Sequence, residues 1–452
     1  MCAERTRPRS RWLWLLLPAL LALVLLGHCS DRLRGPPANL SLRAPRTVVW
    51  KNFLGVNAHF LWFAPDIYRK QIERLKALGL QWVRIDLHWD RIEPQPGQFR
   101  WDVLDPLMQQ LQADDLKAEV YLVGSARYAS SAPAQAPNPD QYPPRDPALY
   151  AQVLQRLAVR YPQVAAWQVW NEPNLPTFWY PREDPQGYGR LLLASVRALR
   201  KDAPGRQIVL GGMAYYSQMP THHNALMIEA LGQQGLFSLG TVIAYHPYSL
   251  QPEGDDPRAR DFILRAEQGN RALRAAGAKQ IWADEWGWSS YAGPKEEQPI
   301  IGERGQADYV LRRLALMSAL DYDRIFLFAL SDLDDRASVR DRRYGLLDLH
   351  ADPKPAYTAL ARFLAITGPE LQPADPPPMA VPRIGLISIG WRRPDGRHLW
   401  MFWASQPGTA RLRGIGAATL FNPLDGDTRV LKAAAGALNV PVTKQLQLLE
   451  WP

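Results

Sequence analysis

The chain has 452 residues, which is too long for one compact sandwich and suits a barrel with a small extra module. Hydrophobic residues make up 47% and charged residues 21%, so we expect a globular fold with a large core and exclude a disordered chain. The formal net charge is +9, but +6 of it belongs to the first 46 residues. The rest of the chain has no basic stripe with interleaved aromatic residues, so nucleic acid is not an expected partner.

The N-terminal segment has the pattern of a targeting sequence. Four arginines between residues 5 and 11 precede the apolar run Trp12–Leu26, which predicts a secretory signal or a membrane anchor over residues 1–30. An uncleaved anchor, a signal with an ill-defined cleavage site and a lipoprotein modified at Cys29 all stay open. In each case the body lies outside the cytoplasm, either periplasmic, tethered to the inner membrane, or secreted. Residues 31–49 are aperiodic and are predicted to be a tether.

The two cysteines, Cys2 and Cys29, both belong to this leader. The folded body therefore has no thiol for a disulfide, a metal site or a cysteine nucleophile.

Between residues 50 and 367, apolar runs typical of β-strands alternate with amphipathic helical stretches. The eight strand candidates are 53–60, 82–89, 117–125, 166–172, 207–214, 241–248, 280–286 and 323–331. The clearest helical candidates are 66–78, 147–161, 188–202, 257–276, 306–320 and 354–366. Apolar strands alternating with helices predict a parallel sheet covered by helices, and eight such units close a barrel. We therefore predict a (β/α)8 TIM barrel over residues 50–367.

After a proline-dense segment at 368–378, the pattern changes to short strands separated by turns. This pattern predicts a small antiparallel, β-sandwich-like module over residues 379–452. The module is too short for an immunoglobulin-sized domain, so residues 40–50 are candidates to complete its sheet. It could act as a carbohydrate-binding module or as a packing partner of the barrel, and we favour the second role.

Two glutamates end two of the predicted barrel strands. The fourth strand ends Trp170-Asn171-Glu172-Pro173, and the seventh ends Asp284-Glu285-Trp286-Gly287. Catalytic residues of barrels project from these strand ends, so the two carboxyl groups should face each other across the mouth. Such a pair is what glycoside hydrolysis requires. Asp284 is a neighbouring candidate, but strand alternation should turn it to the opposite side from Glu285.

The sequence around these glutamates resembles the clan A retaining glycoside hydrolases. The resemblance rests on Trp-Asn-Glu-Pro at strand four and on Trp-x-x-Glu-x-Gly-Trp at strand seven. It is extended by residues 82–101, by Tyr-His-Pro-Tyr at 245–248 and by the segments 344–347 and 354–357. Within the clan, residues 50–366 are most similar to family 39, and there to the Psl-type glycosidases attached to bacterial exopolysaccharide gene systems.

This resemblance implies specific roles. Glu172 would be the general acid/base and Glu285 the nucleophile, with no metal or organic cofactor. Arg84 would keep Glu285 ionised. The other implied sugar-binding or orienting residues are Asn171 for the 2-hydroxyl, His246 and Tyr248 for the Glu285 carboxylate, Trp286 and Trp179 as stacking platforms, and His59. Further rings near strand ends, some of which should touch sugar, are Trp62, His88, Trp89, Trp170, Trp288 and Phe328.

The resulting hypothesis is a retaining glycoside hydrolase that cleaves a polysaccharide, with a bacterial exopolysaccharide as the expected substrate. The alternative is a membrane-tethered component of exopolysaccharide export that binds polysaccharide without cleaving it, or that transfers glycosyl groups. The pair His222-His223 has no carboxylate at ligand spacing, so a metal site is not expected there. The acidic loop with Asp332, Asp334 and Asp335 could bind a cation or a sugar hydroxyl, and a solvated loop is the favoured interpretation.

Overall fold

A computed structural model describes residues 35–215, 226–293 and 299–452 of the chain. The predicted leader and the pair His222-His223 lie outside these residues. No helix in the described ranges is both long and apolar enough to cross a lipid bilayer.

Twenty strands follow one another along the described chain. They are β1 (Leu40–Leu42), β2 (Val48–Val49), β3 (Leu54–Asn57), β4 (Trp82–His88), β5 (Lys117–Val123), β6 (Ala166–Val169), β7 (Gln207–Leu210), β8 (Met213–Ala214), β9 (Ile243–His246), β10 (Ile281–Trp286), β11 (Arg324–Leu327), β12 (Glu370–Ala374), β13 (Met379–Ala380), β14 (Leu386–Arg392), β15 (His398–Ala404), β16 (Gly408–Arg413), β17 (Ala417–Phe421), β18 (Thr428–Lys432), β19 (Ala437–Val442) and β20 (Gln447–Trp451).

The α-helices of the described ranges lie between these strands. They are α1 (Trp50–Phe53), α2 (Pro65–Ala77), α3 (Trp89–Ile92), α4 (Trp101–Ala113), α5 (Pro147–Arg160), α6 (Pro185–Asp202), α7 (Met227–Gln233), α8 (Asp261–Ala275), α9 (Gly302–Ser318) and α10 (Pro355–Thr367). Several begin with proline, whose missing N–H costs nothing in the first helical turn. The side chains of Asp146 and Asp184 cap α5 and α6 by accepting backbone N–H groups.

The first sheet is a closed parallel barrel, which confirms the predicted fold. Its strand order is β7-β6-β5-β4-β3-β11-β10-β9-β8. The segments β7 and β8 belong to one run of chain, interrupted at Gly211-Gly212. A parallel bridge between Val209 and Val242 pairs this run with the residue that directly precedes β9, which closes the sheet. The nine segments therefore form an eight-stranded barrel.

Aromatic residues close the N-terminal end of the barrel. Trp82, Trp282 and Phe326 pack together there with ring centroids 5.8–6.3 Å apart, and all three are buried. Gly55 lies beside this cluster, where a Cβ atom would overlap the Phe326 ring. The base is therefore closed by packed aromatic rings.

The C-terminal module is a sandwich of two antiparallel sheets. One has the strand order β18-β17-β20-β15-β14-β12-β2, with β1 on β14, and the other has the order β13-β16-β19. Residues 40–49 therefore supply two strands to the module, which corrects their assignment to a tether. The register of β1 pairs Leu40 with Ile387 and Leu42 with Ile389 in parallel.

The module hydrogen-bonds to a buried ion pair of the barrel. Arg312 of α9 donates two hydrogen bonds to Glu253, at 2.6 and 2.8 Å, and the indole of Trp403 in β15 donates a third at 2.7 Å. At the edge of the same interface, Arg304 and Asp425 pair at 2.6 Å. These contacts agree with a packing role for the module.

Candidate active site

The two glutamates singled out by the sequence meet at the C-terminal mouth of the barrel. Glu285 is in β10 and Glu172 follows β6. One carboxylate oxygen of each lies within 4.8 Å of the other, and both are close to His246. Both side chains are largely buried, with 10% and 13% exposed for Glu285 and Glu172. The two carboxyl groups therefore face each other across the mouth, as expected from their places at strand ends.

Arg84 of β4 is the central cation of this site. Its side chain is fully buried, and its Nη1 donates to Glu285 Oε1 at 2.6 Å and to Asn57 Oδ1 at 2.8 Å. Its Nη2 donates to Asn171 Oδ1 at 2.7 Å, and its Nε donates to Gln168 Oε1 at 2.9 Å. The guanidinium thus balances the charge of Glu285 and holds the side-chain amide of Asn171, the residue that precedes Glu172.

His246, at the end of β9, lies between the two glutamates. Its Nδ1 is 2.7 Å from Glu172 Oε1 and 3.4 Å from Glu285 Oε2, so its primary partner is Glu172 and not Glu285 as expected. Tyr248 takes the expected place, since its hydroxyl donates to Glu285 Oε2 at 3.3 Å. Each glutamate therefore has its own hydrogen-bond partner.

The backbone after β6 turns sharply to bring Glu172 into the mouth. Trp170 and Glu172 both have positive φ, at 71° and 41°, a conformation that costs residues with a side chain on the order of 1–3 kcal/mol each. The Glu172 N–H donates to the carbonyl of Gly212 at 2.9 Å. The Asn174 amide closes two hydrogen bonds with the backbone of Ala214, at 2.8 and 3.0 Å. These contacts hold the strained turn in place.

Burial and neighbouring charges shift the pKa values of Glu172, His246 and Arg84. Burial raises the pKa of Glu172 above its ordinary range, and the His246 imidazole only partly offsets this effect. Burial alone would lower the pKa of His246, but the carboxylates of Glu285, Asp284 and Glu172 raise it to about 10. Arg84 likewise has a raised pKa despite its burial, because Glu285 and Asp284 stabilise its charge. A raised pKa at Glu172 and a guanidinium bonded to Glu285 are the conditions that suit one carboxyl group to act as an acid and the other as a nucleophile.

Asp284 lies inside the barrel, contrary to the expectation from strand alternation. It is fully buried, 3.6 Å from Arg84 Nε and 3.4 Å from His246 Nε2. The reason is a register irregularity between Ala283 and Trp286 against β11, which lets consecutive residues turn inward.

The two preferred stacking platforms do not present a ring face at the mouth. Trp286 is 1% exposed, and Trp179 is 3% exposed and packs edge-on against Trp170 and Tyr188. Their assignment as platforms was wrong, because both rings are needed in the core. Trp89, Trp170 and Trp288 of the wider group are equally buried.

His59 and Phe328 keep partial exposure beside the pair. The Nδ1 of His59 contacts Asp86 Oδ1 at 2.8 Å, and its ring centroid is 5.4 Å from that of Phe328. His59 Nε2 has no hydrogen-bond partner within the described residues. Trp62 is half-buried and lies next to His59, while His88 is 3.4 Å from Asp86. These groups form the wall of the mouth on the β3 and β4 side.

Glu172, His246 and Glu285 also have the spacing of a metal site. Arg84 makes this reading unfavourable, because its guanidinium lies 2.6 Å from Glu285 and would repel a cation. Asp332 of the acidic loop is likewise already neutralised, by Lys354 at 2.8 Å, and is buried and not solvated.

Sequence reasoning missed the polar residues beneath the carboxylates. Asn57 and Arg84 are register partners in neighbouring strands, as are Tyr121 and Gln168. Gln168 also donates to the carbonyl of Trp170 at 2.8 Å, and the Arg84 guanidinium lies 4.0 Å from the centre of the Tyr121 ring. Polar residues inside otherwise apolar strands were the signal that could have identified them.

Comparisons with known proteins agree with this architecture. A family model described as a glycoside hydrolase 42 β-galactosidase matches residues 60–127. No curated protein sequence matches the chain.

Several solved structures share the fold. A family 39 glycoside hydrolase from the gut symbiont Bacteroides cellulosilyticus WH2 is 18% identical, with a TM-score of 0.67 over 90% of this chain and 82% of that chain. A monomeric β-xylosidase from Caulobacter crescentus CB15 is 16% identical, with a TM-score of 0.62 over 92% and 99% of the two chains. A family 30 endoxylanase from Clostridium papyrosolvens C71 is 10% identical, with a TM-score of 0.59 over 92% and 99%.

At these identities the likeness establishes the fold, a TIM barrel with a β module. The structural neighbours include clan A glycoside hydrolases of families 39 and 30, in agreement with the resemblance drawn from the sequence motifs.

Proposed function

We propose that the protein is a retaining glycoside hydrolase, with Glu285 as nucleophile and Glu172 as general acid/base. The observation that carries the proposal is the pair itself: two carboxyl groups with oxygens within 4.8 Å, one bonded to Arg84 and the other to His246. Retaining enzymes keep their carboxyl groups about 5–5.5 Å apart, whereas inverting enzymes need about 6.5–9.5 Å to admit a water. The short separation favours retention.

In the first step, a carboxylate oxygen of Glu285 attacks the anomeric carbon while the glycosidic C–O bond breaks. Glu172 gives its proton to the departing oxygen, so the leaving group departs as a neutral alcohol. Arg84 and Tyr248 hold the attacking carboxylate by contacts at 2.6 and 3.3 Å. Asn171, whose side-chain oxygen accepts from Arg84 at 2.7 Å, would bond the sugar 2-hydroxyl, as the family resemblance implies.

In the second step, the ionised Glu172 takes a proton from water, and the water oxygen bonds to the anomeric carbon. The bond from that carbon to Glu285 breaks, which returns the carboxylate to Arg84. His246 assists Glu172 as a base, because its Nδ1 contacts Glu172 at 2.7 Å and stabilises the ionised carboxylate. The anomeric configuration is inverted twice and therefore retained.

We propose a polysaccharide as the substrate, with a bacterial exopolysaccharide as the specific candidate. Support comes from the motif resemblance to family 39 and its Psl-type members. The xylosidase and xylanase among the structural neighbours make aryl β-xylosides and xylo-oligosaccharides practical first probes. A polysaccharide-binding or transglycosylating component is the rival function, and it differs in whether water accepts the glycosyl group.

The test is turnover of a panel of aryl glycosides and polysaccharides by the wild type, Glu285→Gln and Glu172→Gln. We expect wild-type turnover, with losses in both variants of several orders of magnitude. Glu172→Gln should lose less on substrates with an acidic phenol leaving group, since these need no proton. Undiminished hydrolysis by Glu285→Gln would refute the assignment. Binding without hydrolysis by the wild type would favour the rival function.

We also propose an extracytoplasmic location, supported by the basic flank and apolar run of residues 1–30. Fractionation of cells that express the full chain tests it. We expect the protein in the periplasmic, membrane or secreted fraction, and recovery in the cytosol would contradict the proposal.

A further inference from the structure

The barrel interior below the catalytic pair holds two more carboxyl groups. Asp284 and Glu119 are both fully buried, and none of their four carboxylate oxygens has a hydrogen-bond partner within the described ranges. Buried acids without such bonds are costly unless nearby charges compensate them or they keep their protons.

We propose that Asp284 is a positioning residue whose buried carboxylate balances Arg84 and His246, and thereby keeps the proton on Glu172. The inference rests on the proposed function, since it concerns the acid/base of that reaction. Asp284 contacts no substrate position and acts through its two cationic neighbours.

The geometry places Asp284 between these cations. One of its oxygens is 3.6 Å from Arg84 Nε, and the other is 3.4 Å from His246 Nε2. The opposite nitrogen of the same imidazole is 2.7 Å from Glu172. Asp284, His246 and Glu172 thus form a continuous line of contacts from the barrel interior to its mouth.

Two features of the backbone allow the contacts between Asp284, His246 and Glu172. The irregularity of β10 between Ala283 and Trp286 turns Asp284 inward. Gly212 leaves the necessary room, because a Cβ atom there would overlap both His246 Nε2 and Asp284 Oδ2.

The number of buried acids at the site can be compared with the number of cations that pair with them. The acids are Glu119, Glu172, Asp284 and Glu285, and the cations in ion-pair contact with them among the described residues are Arg84 and His246. Two ionised acids balance two cations. Glu119 contacts neither cation, and burial together with the Asp284 charge raises its pKa to about 8, so it is neutral at pH 7. Burial raises the pKa of Glu172, and the Asp284 carboxylate supports that raised value by balancing part of the positive charge of Arg84 and His246.

The other titratable groups that face this interior do not change the balance. Burial raises the pKa values of Tyr121, Tyr188 and Tyr248, so these residues are neutral at pH 7. Arg324 lies at the barrel base over the Trp82 ring, at 3.5 Å, and its charge only partly offsets the effect of burial on the pKa of Glu119.

The first test is the pH profile of kcat/KM for Asp284→Asn against the wild type. Removing one negative charge leaves the two cations undercompensated and lowers the pKa values of both Glu172 and His246. The alkaline limb should therefore move to lower pH by about 1 pH unit, as expected for loss of a charge at this range. At alkaline pH such a displacement lowers kcat/KM about tenfold, while rates on the acid side stay close to wild type.

Glu119→Gln is the matched control, because it replaces a second buried acid that is neutral at pH 7. Below pH 8, where Glu119 is mostly neutral, its alkaline limb should stay in place, whereas a purely structural effect of altering the interior would move both variants alike. An unmoved limb in Asp284→Asn, or an equal displacement in Glu119→Gln, would overturn the inference.

The second test needs neither a substrate nor a stable variant. A ¹⁵N NMR titration of the His246 imidazole in the full-length wild type should show imidazolium at pH 7. In Asp284→Asn, if it folds, the titration should move to lower pH. A neutral imidazole in the wild type at pH 7 would overturn the inference even if the glycosidase proposal holds. Failure of the glycosidase proposal would appear separately, as a wild type that hydrolyses no glycoside.

Discussion

Replacing Arg84 with lysine separates the charge of this residue from its shape. The forked guanidinium reaches four acceptors in different directions, on Glu285, Asn171, Asn57 and Gln168. A lysine ammonium can replace the bond to Glu285, but it cannot at the same time reach Asn171 and Gln168. Hydrogen bonds to charged groups contribute about 1.5–3 kcal/mol each, so two lost bonds cost on the order of 3–6 kcal/mol of folding free energy.

The same variant should lose activity, because Arg84 positions the Asn171 amide as well as Glu285. We expect kcat/KM to fall about 100-fold or more, the effect of misplacing a catalytic group by about 1 Å. Urea denaturation and steady-state kinetics measure the two effects. Arg160→Lys is the control, since Arg160 forms an exposed pair with Asp105 and should stay close to wild type. If Arg84→Lys kept full activity and a free energy of unfolding within about 1 kcal/mol of wild type, the central role of the guanidinium hydrogen bonds would be refuted.

Three further predictions concern other parts of the molecule. Gly55→Ala should lower the free energy of unfolding by about 1–3 kcal/mol in urea denaturation, because its methyl group overlaps the Phe326 ring; a neutral effect would contradict the close packing of the aromatic rings at the barrel base. The pKa of His246 is about 10 in the folded state and near its ordinary value of 6.5 when unfolded, so its contribution is fully present below pH 6.5 and is lost towards pH 10. The urea midpoint should therefore fall across that range, less steeply in His246→Gln, and equal slopes would contradict the raised pKa. Trp403→Phe removes the indole donor to Glu253 and should destabilise the protein by about 1–3 kcal/mol in thermal melts, with no change in kcat; a change in kcat would instead link the module to the site.

The sequence predicted the barrel well because its local signals agree with the global fold. Apolar runs located all eight strand positions, and β4 was expected at 82–89 and lies at Trp82–His88. The helix α4 was not among the predicted helices, and it contains Pro106 in its interior, where proline ordinarily breaks a helix. In the module, the pattern of short strands did not give strand bounds, and β16 and β17, for example, are separated by a turn at Gly414, which has a positive φ.

The catalytic pair was predictable from strand ends, but the contacts around it were not. The inward turn of Asp284 depends on a register irregularity that is set by pairing with β11 and leaves no mark in the local sequence. The choice of His246 for Glu172 over Glu285 depends on a difference between 2.7 and 3.4 Å, which only the assembled barrel determines. Trp179 and Trp286 were indistinguishable in sequence from sugar-stacking rings, and their burial is a tertiary property.

The most direct measurement of the central claim is mass spectrometry of the trapped glycosyl-enzyme. The wild type would be incubated with a 2-deoxy-2-fluoro glycoside of the sugar that it releases, carrying a reactive leaving group such as dinitrophenolate. The fluorine slows both steps, and the leaving group speeds only the first, so the intermediate accumulates. Peptide mapping should then place the covalent sugar on Glu285, with no adduct in Glu285→Gln. An adduct on another residue, or rapid hydrolysis that yields the inverted anomer without any adduct, would contradict the account.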